Sequence, residues 1–181
     1  MKEGDSLSQF HVHIAQAVVV LLIIFLIATV IADKTTITKR MIQTDVIINS
    51  SASEVWKVLT NFEEYPKWNP FIQQVTGTAR PGKQLKVQMK SGDGTITFSP
   101  TVLVVLPDRE LRWLGRVFIP GLFDGEHSFV IEPLSENQVR LVQSEAFNGL
   151  LIPFSESLLE GTKLNFEAMN QALKKRVEET N

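Results

Sequence analysis

Hydrophobic and polar positions divide the chain into two unlike parts. Residues 14–32, IAQAVVVLLIIFLIATVIA, run for nineteen positions without a charge. A helix of that length rises about 28 Å, close to the hydrocarbon thickness of a bilayer, and would be apolar on every side. A cleaved signal peptide calls for a basic start and an apolar stretch of about 7–15 residues. Here the start is MKEGDS, with Lys2 offset by Glu3 and Asp5, although VIA before Asp33 does put small residues where a signal peptidase cuts. The length favours an uncleaved single-pass anchor at 14–32, after a tail at 1–13 and before a polar linker, DKTTITKR, at 33–40. Lys34, Lys39 and Arg40 follow the span, while Lys2 and the amino terminus precede it. The positive-inside rule therefore leans, by one charge, to a cytoplasmic domain. A linker of this length reaches about 28 Å when extended, which holds the domain near the bilayer.

From Met41 onward the periodicity shortens. MIQTDVIINS alternates and is β-branched, which predicts a strand. In SASEVWKVLTNF, Ser51 and Glu54 have capping-box spacing, and Val55, Val58, Leu59 and Phe62 share a helical face. EEYPKWNPF holds a second helical turn, and Trp56, Tyr65 and Trp68 are expected to pack under the sheet rim. The turn signals RPGK, SGDG, LPDR and SENQ then separate short β-type segments, the spacing of an antiparallel meander. Pro100 suggests a bulge or edge within TITFSPTVLVVL. The last segment, FSESLLEGTKLNFEAMNQALKKRVEE, carries an apolar stripe at Leu158, Leu159, Thr162, Phe166, Met169, Leu173 and Val177. Gly161 interrupts it, either for close packing or to leave room for a ligand or bend.

The predicted fold is α+β. A curved antiparallel sheet of about seven strands, ordered strand, two short helices, six strands and a long helix, wraps the C-terminal helix. Such a grip leaves a cavity between sheet and helix, the natural seat of a small-molecule site.

Composition narrows the chemistry. The 181 residues carry a net charge of −2, with no basic footprint for nucleic acid. Without cysteine there is no disulfide, thiolate nucleophile or Cys-ligated zinc. One histidine among scattered acids makes a poor metal site, and no glycine-rich phosphate loop appears, so no cofactor is expected.

Only three histidines are present, and His127 begins the strand HSFVIEPL. Period two puts His127, Phe129 and Ile131 on one face, which should look inward. In VRLVQSEAF, Arg140 looks out, so Leu141, Gln143, Glu145 and Phe147 look in. A hairpin closed by SENQ then pairs Ile131 with Leu141, Phe129 with Gln143, and His127 with Glu145. Trp113 shares its inward face with Leu111. The candidate ligand-binding residues are therefore His127, Glu145, Trp113, Phe129, Gln143 and Phe147. Phe166 and Met169 join them from the helix stripe, and Phe118 and Leu122 from FIPGLF, an apolar loop suited to gating or to touching a bilayer. Three roles stay open for the His127–Glu145 pair: general acid–base catalysis, anchoring of a ligand's polar group, or a structural tie between strand ends.

INSSASEVWKVLTNFEEYPKWNPFI resembles the opening of the START-like (SRPBCC, helix-grip) superfamily, in particular its polyketide cyclase/dehydrase-like branch. FDGEHSFVIEPL followed by LVQSEAFNGLLIPF resembles later strands of that branch. The resemblance runs from Met41 to the C-terminal helix and implies a hydrophobic cavity for lipids, polyketides or other apolar molecules. It does not imply one chemistry. The expectation is a membrane-tethered, non-enzymatic domain that binds a hydrophobic small molecule or lipid, with no nucleic-acid partner. The alternatives are a cyclase/dehydratase acting through His127 and Glu145, and an accessory protein docking a membrane partner.

Overall fold

The computed structural model describes residues 20–22, 38–92, 94–117 and 119–179. Val20–Leu22 are helical; the rest of the expected span and the linker up to residue 37 lie outside the described residues. Among the described residues no helix is long and apolar enough to cross a membrane.

The unit Thr38–Asn181 is compact. It runs β1 (Thr38–Ile48), α1 (Ala52–Thr60), α2 (Tyr65–Trp68), β2 (Ile72–Thr76), β3 (Lys86–Ser91), β4 (Gly94–Phe98), β5 (Thr101–Leu106), β6 (Glu110–Val117), β7 (Phe123–Ser135), β8 (Gln138–Gly149) and α3 (Glu156–Glu178). β1 opens at Thr38, so the last three residues of the expected linker belong to the sheet. Ser51 caps α1 by accepting the Glu54 amide at 3.3 Å, and Val55 and Leu59 are buried beneath it. Tyr65, fully buried in α2, donates its hydroxyl to the Leu59 carbonyl at 2.6 Å.

Among the described residues the strands number eight rather than about seven, and they form two antiparallel sheets rather than one. The orders are β1-β8-β7-β6-β5 and β2-β3-β4. The break falls at Ser99–Pro100, where the long segment read as one strand divides into β4 and β5. Proline has no amide hydrogen to continue a ladder. Its carbonyl still accepts from Leu85 at 3.0 Å, and a bridge between Gln84 and Thr101 joins the two sheets.

α3 lies against the inner face of the larger sheet, as a helix-grip fold requires. Its stripe is buried only from Phe166 onward, at Phe166, Met169, Asn170, Leu173 and Val177. Leu158, read as part of the same stripe, is half exposed. The helix is gripped most closely in its C-terminal half. Its first ten residues hold none that is fully buried, although Leu159 still packs partly against the core, and these less buried turns are termed the overhanging half. Asn170 donates to Thr44 Oγ1 on β1 at 2.9 Å, and Lys174 donates to the Ile47 carbonyl at 2.7 Å, which pins that half to the edge strand. At Gly161 a β-carbon would meet nothing within 4 Å, so the glycine does not serve close packing.

Two substitutions in α3 should move stability in opposite directions. Leu173→Ala opens a cavity in the gripped half and is expected to lower unfolding free energy by about 2–5 kcal/mol. Gly161→Ala is expected to raise it by up to about 1 kcal/mol, since helix propensity improves and nothing clashes. Urea denaturation followed by circular dichroism measures both.

Candidate functional site

The inner face of β6, β7 and β8 meets α3 at a cluster of polar side chains set in aromatic walls. The β7–β8 register places His127 opposite Glu145, Phe129 opposite Gln143, and Ile131 opposite Leu141, as period-two reading expects. Trp113 pairs with His127 from β6. His127, Phe129, Gln143, Trp113, Phe166 and Met169 are all buried, and Glu145 keeps 15% of its side chain exposed.

The imidazole of His127 lies between two phenyl rings. Phe129 stacks on it at a centroid distance of 4.6 Å and Phe166 at 4.7 Å, with Trp113 tilted against it at 5.1 Å. Its edge meets polar atoms. The Gln143 amide nitrogen lies 3.0 Å from His127 Nε2 and 3.6 Å from the Met169 sulfur. An amide nitrogen only donates, and its two hydrogens match these two acceptors. His127 Nε2 therefore accepts, and the ring proton sits on Nδ1. That atom faces Glu145 Oε2 at 3.9 Å, an ion-pair distance too long for a hydrogen bond. Gln143 Oε1 receives no hydrogen bond from the protein, although the residue is fully buried.

Burial decides the charges. Loss of hydration pushes the His127 imidazole down to about 3 and the Glu145 carboxyl up to about 8. Near neutral pH the pair is a neutral ring beside a protonated acid rather than a salt bridge. Together they offer two donors, His127 Nδ1–H and the Glu145 hydroxyl, and one unused acceptor, Gln143 Oε1.

Glycine makes room for this arrangement. Gly125 lies across from Phe147 on β8 and from Gly115 on β6. A β-carbon at Gly125 would collide with the Glu145 carboxyl, so the acid can lie over the strand only because the position is bare. Sequence reading missed Gly125, although paired glycines inside strands signal a close approach. It also missed Phe123, which packs on Phe147 at 5.5 Å.

The structure thus brings together His127, Glu145, Gln143, Trp113, Phe129, Phe166 and Met169. Phe147 stands next to this group, behind Gly125. Leu122 belongs instead to the β6–β7 loop, where its carbonyl accepts from the Leu151 amide at 3.0 Å, and Phe118 lies outside the described residues. The expected hollow between sheet and helix is taken up by Phe166 and Met169, both fully buried against the His127 face. A recess of about 470 Å³ lies elsewhere, around Ala146, with Met41, Leu114 and Glu126 among its walls. These side chains stand on the opposite face of the sheet from His127.

Residues 39–178 match the family model described as polyketide cyclase/dehydrase and lipid transport. No curated protein matches the chain. Among solved structures, the chain resembles a START superfamily protein from Mycobacterium smegmatis at 24% identity and a TM-score of 0.62, covering 78% of this chain and 99% of that one. It resembles the Zhui aromatase/cyclase from a Streptomyces species at 15% identity and a TM-score of 0.64, covering 78% and 94%. It also resembles norcoclaurine synthase from Thalictrum flavum at 13% identity and a TM-score of 0.63, covering 82% and 91%. At these identities the likeness is one of fold.

Stability should carry the signature of both buried groups. The folded chain keeps a proton on Glu145 that the unfolded chain releases above 4.5, so stability falls as pH rises from about 4.5 to 8. His127 works the other way: the unfolded chain takes a proton that the folded ring refuses, so stability is lost as pH falls from 6.5 toward 3. Between 4.5 and 6.5 the two slopes oppose each other. From 6.5 to 8 the Glu145 slope stands alone, at up to about 1.4 kcal/mol per pH unit for one proton. Chemical denaturation across that interval should show a decline that Glu145→Gln removes. Gly125→Ala, by displacing the carboxyl, should also flatten it.

Proposed function

The chain belongs to the polyketide cyclase/dehydrase and lipid transport family, and from that premise we propose that it binds an apolar small molecule or lipid beneath α3, with His127, Gln143 and Glu145 holding the guest's polar group. The observation that carries this reading is the buried Gln143 oxygen without a protein donor, beside a protonated Glu145. An unmade hydrogen bond of this kind costs about 1–3 kcal/mol, which a guest hydroxyl would offset. The carboxyl, in turn, can donate to a guest carbonyl. Aromatic walls at Trp113, Phe129 and Phe166 suit the apolar body of such a molecule.

Space for the guest comes from moving Phe166 and the overhanging half of α3. The first ten residues of that helix include none that is fully buried, so the overhang is the half held by the fewest core side chains. The uncharged run at 14–32 would tether the domain to a membrane, on the cytoplasmic side by the balance of flanking charge. This supplies an apolar source for the guest.

A second reading, proton-transfer catalysis of the cyclase or dehydratase type, is favoured by one feature. A carboxyl whose pKa lies at about 8 is poised to give and take protons near neutral pH. It predicts turnover that disappears in Glu145→Gln while guest binding persists.

Native mass spectrometry of the full chain purified in detergent should reveal a bound apolar mass. A chain that is empty and takes up nothing from fatty-acid, sterol or polyketide panels contradicts the binding reading. For a guest so identified, affinity should fall as pH passes about 8, because the ionised carboxyl no longer donates. One lost hydrogen bond corresponds to about 1 kcal/mol, or roughly fivefold. In Glu145→Gln the carboxamide donates at every pH, and the dependence should vanish.

A further inference from the structure

We infer that the end of the domain carrying Gly149 and the β6–β7 loop is a docking rim that inserts apolar side chains into a lipid bilayer. The inference rests on the tethered-binding reading above and adds to it the face that meets lipid.

Six large apolar side chains are exposed at this end: Ile119 in the β6–β7 loop, Leu150, Leu151 and Phe154 after β8, and Leu158 and Leu164 on the overhanging half of α3. Ile119 is 64% exposed and Phe154 71%. Single exposed hydrophobics are common on soluble domains, whereas a contiguous group marks an interaction surface. Here the backbone holds the two loops together. The Leu150 amide donates to the Gly121 carbonyl at 3.1 Å and the Leu151 amide to the Leu122 carbonyl at 3.0 Å. Gly149, with φ of +144°, permits this contact, since a β-carbon there would collide with the Leu122 backbone. The group is thus a fixed feature of the fold.

The chain's own layout names the occupant. Thr38, where β1 begins, pairs with Gly149. The polypeptide therefore enters the domain beside the rim. Residues 33–37 separate Thr38 from the uncharged run at 14–32, a reach of about 17 Å when extended. A bilayer holding that run would be bound by this tether to the neighbourhood of Thr38. Lys39 and Arg40, both exposed at the start of β1, add cations suited to anionic headgroups. At the far end of the hairpin the turn between β7 and β8 carries the exposed Glu136 and Asn137, with Leu134 the exposed apolar side chain beside them. That turn is a twelve-residue strand from Gly149, about 40 Å away. Docking would set the overhanging half of α3 against lipid, which gives an apolar guest a path to the His127 cluster that avoids water.

The chain has no cysteine, so single labels can be placed without background. The test uses the full chain with an environment-sensitive fluorophore on Ile119→Cys, Phe154→Cys or Glu136→Cys. Each is reconstituted into phosphatidylcholine–phosphatidylglycerol vesicles with brominated acyl chains. Fluorescence should be lost at Ile119→Cys and Phe154→Cys and retained at Glu136→Cys. Chains that float with the vesicles but keep all three signals overturn the rim. The guest reading then stands or falls separately on the mass found in native mass spectrometry of the same preparation. Rim labels insensitive to bromine that quench each other as protein density rises place a second copy on this face and also overturn the proposal. Chains that fail to float remove the tether and the rim together.

Discussion

His127 is clasped between Phe129 on the sheet and Phe166 on the terminal helix, and the contact joins the two halves of the fold. A ring sealed in this way cannot carry charge cheaply, so it stays neutral. Its proton then has to be placed, and the Gln143 amide settles the tautomer by occupying Nε2. The same desolvation keeps Glu145 protonated, and the bare backbone at Gly125 gives that carboxyl its place. A set of polar groups thus lies at the centre of an apolar grip, uncharged and incompletely hydrogen-bonded. That combination costs stability, and it is the feature on which the proposed guest site rests.

The sheet was largely legible in the sequence because side chains in strands alternate strictly. Once Arg140 is placed outward, the pairing of His127 with Glu145 follows from the hairpin at SENQ, and the observed register agrees residue for residue. The capping serine of α1 was legible for a similarly local reason. What escaped depends on distance along the chain. The interruption at Pro100 was legible as a bulge or edge, but that the strands on either side of it join different sheets was not. The looser first turns of α3 cannot be seen in its apolar stripe, since Leu158 and Phe166 look alike in sequence although one is half exposed and the other fully buried. The filled interior is of the same kind: Phe166 and Met169 mark the helix face, but only packing shows that they occupy the space a guest would need.

Two features complement each other in the functional reading. The gripped half of α3 fixes the polar cluster, while the free half stands among exposed apolar side chains beside the entry of β1. On the proposed reading, one end of the molecule meets lipid and its interior takes an apolar molecule with a polar handle. The family and the related structures supply the fold, which hosts enzymes as well as binding proteins. The functional reading rests on the interior of this chain, in which a proton-bearing acid and an unused amide oxygen lie among the same aromatic walls.

The protonation of His127 in solution tests that interior most directly. Nitrogen-15 NMR of the full chain in detergent, with the His127 ring assigned, reads both nitrogens across the pH range. A ring that stays neutral well below pH 5, protonated on Nδ1, is the predicted result. A ring that titrates near 6.5, as a solvated histidine does, would contradict a sealed polar cluster beneath α3.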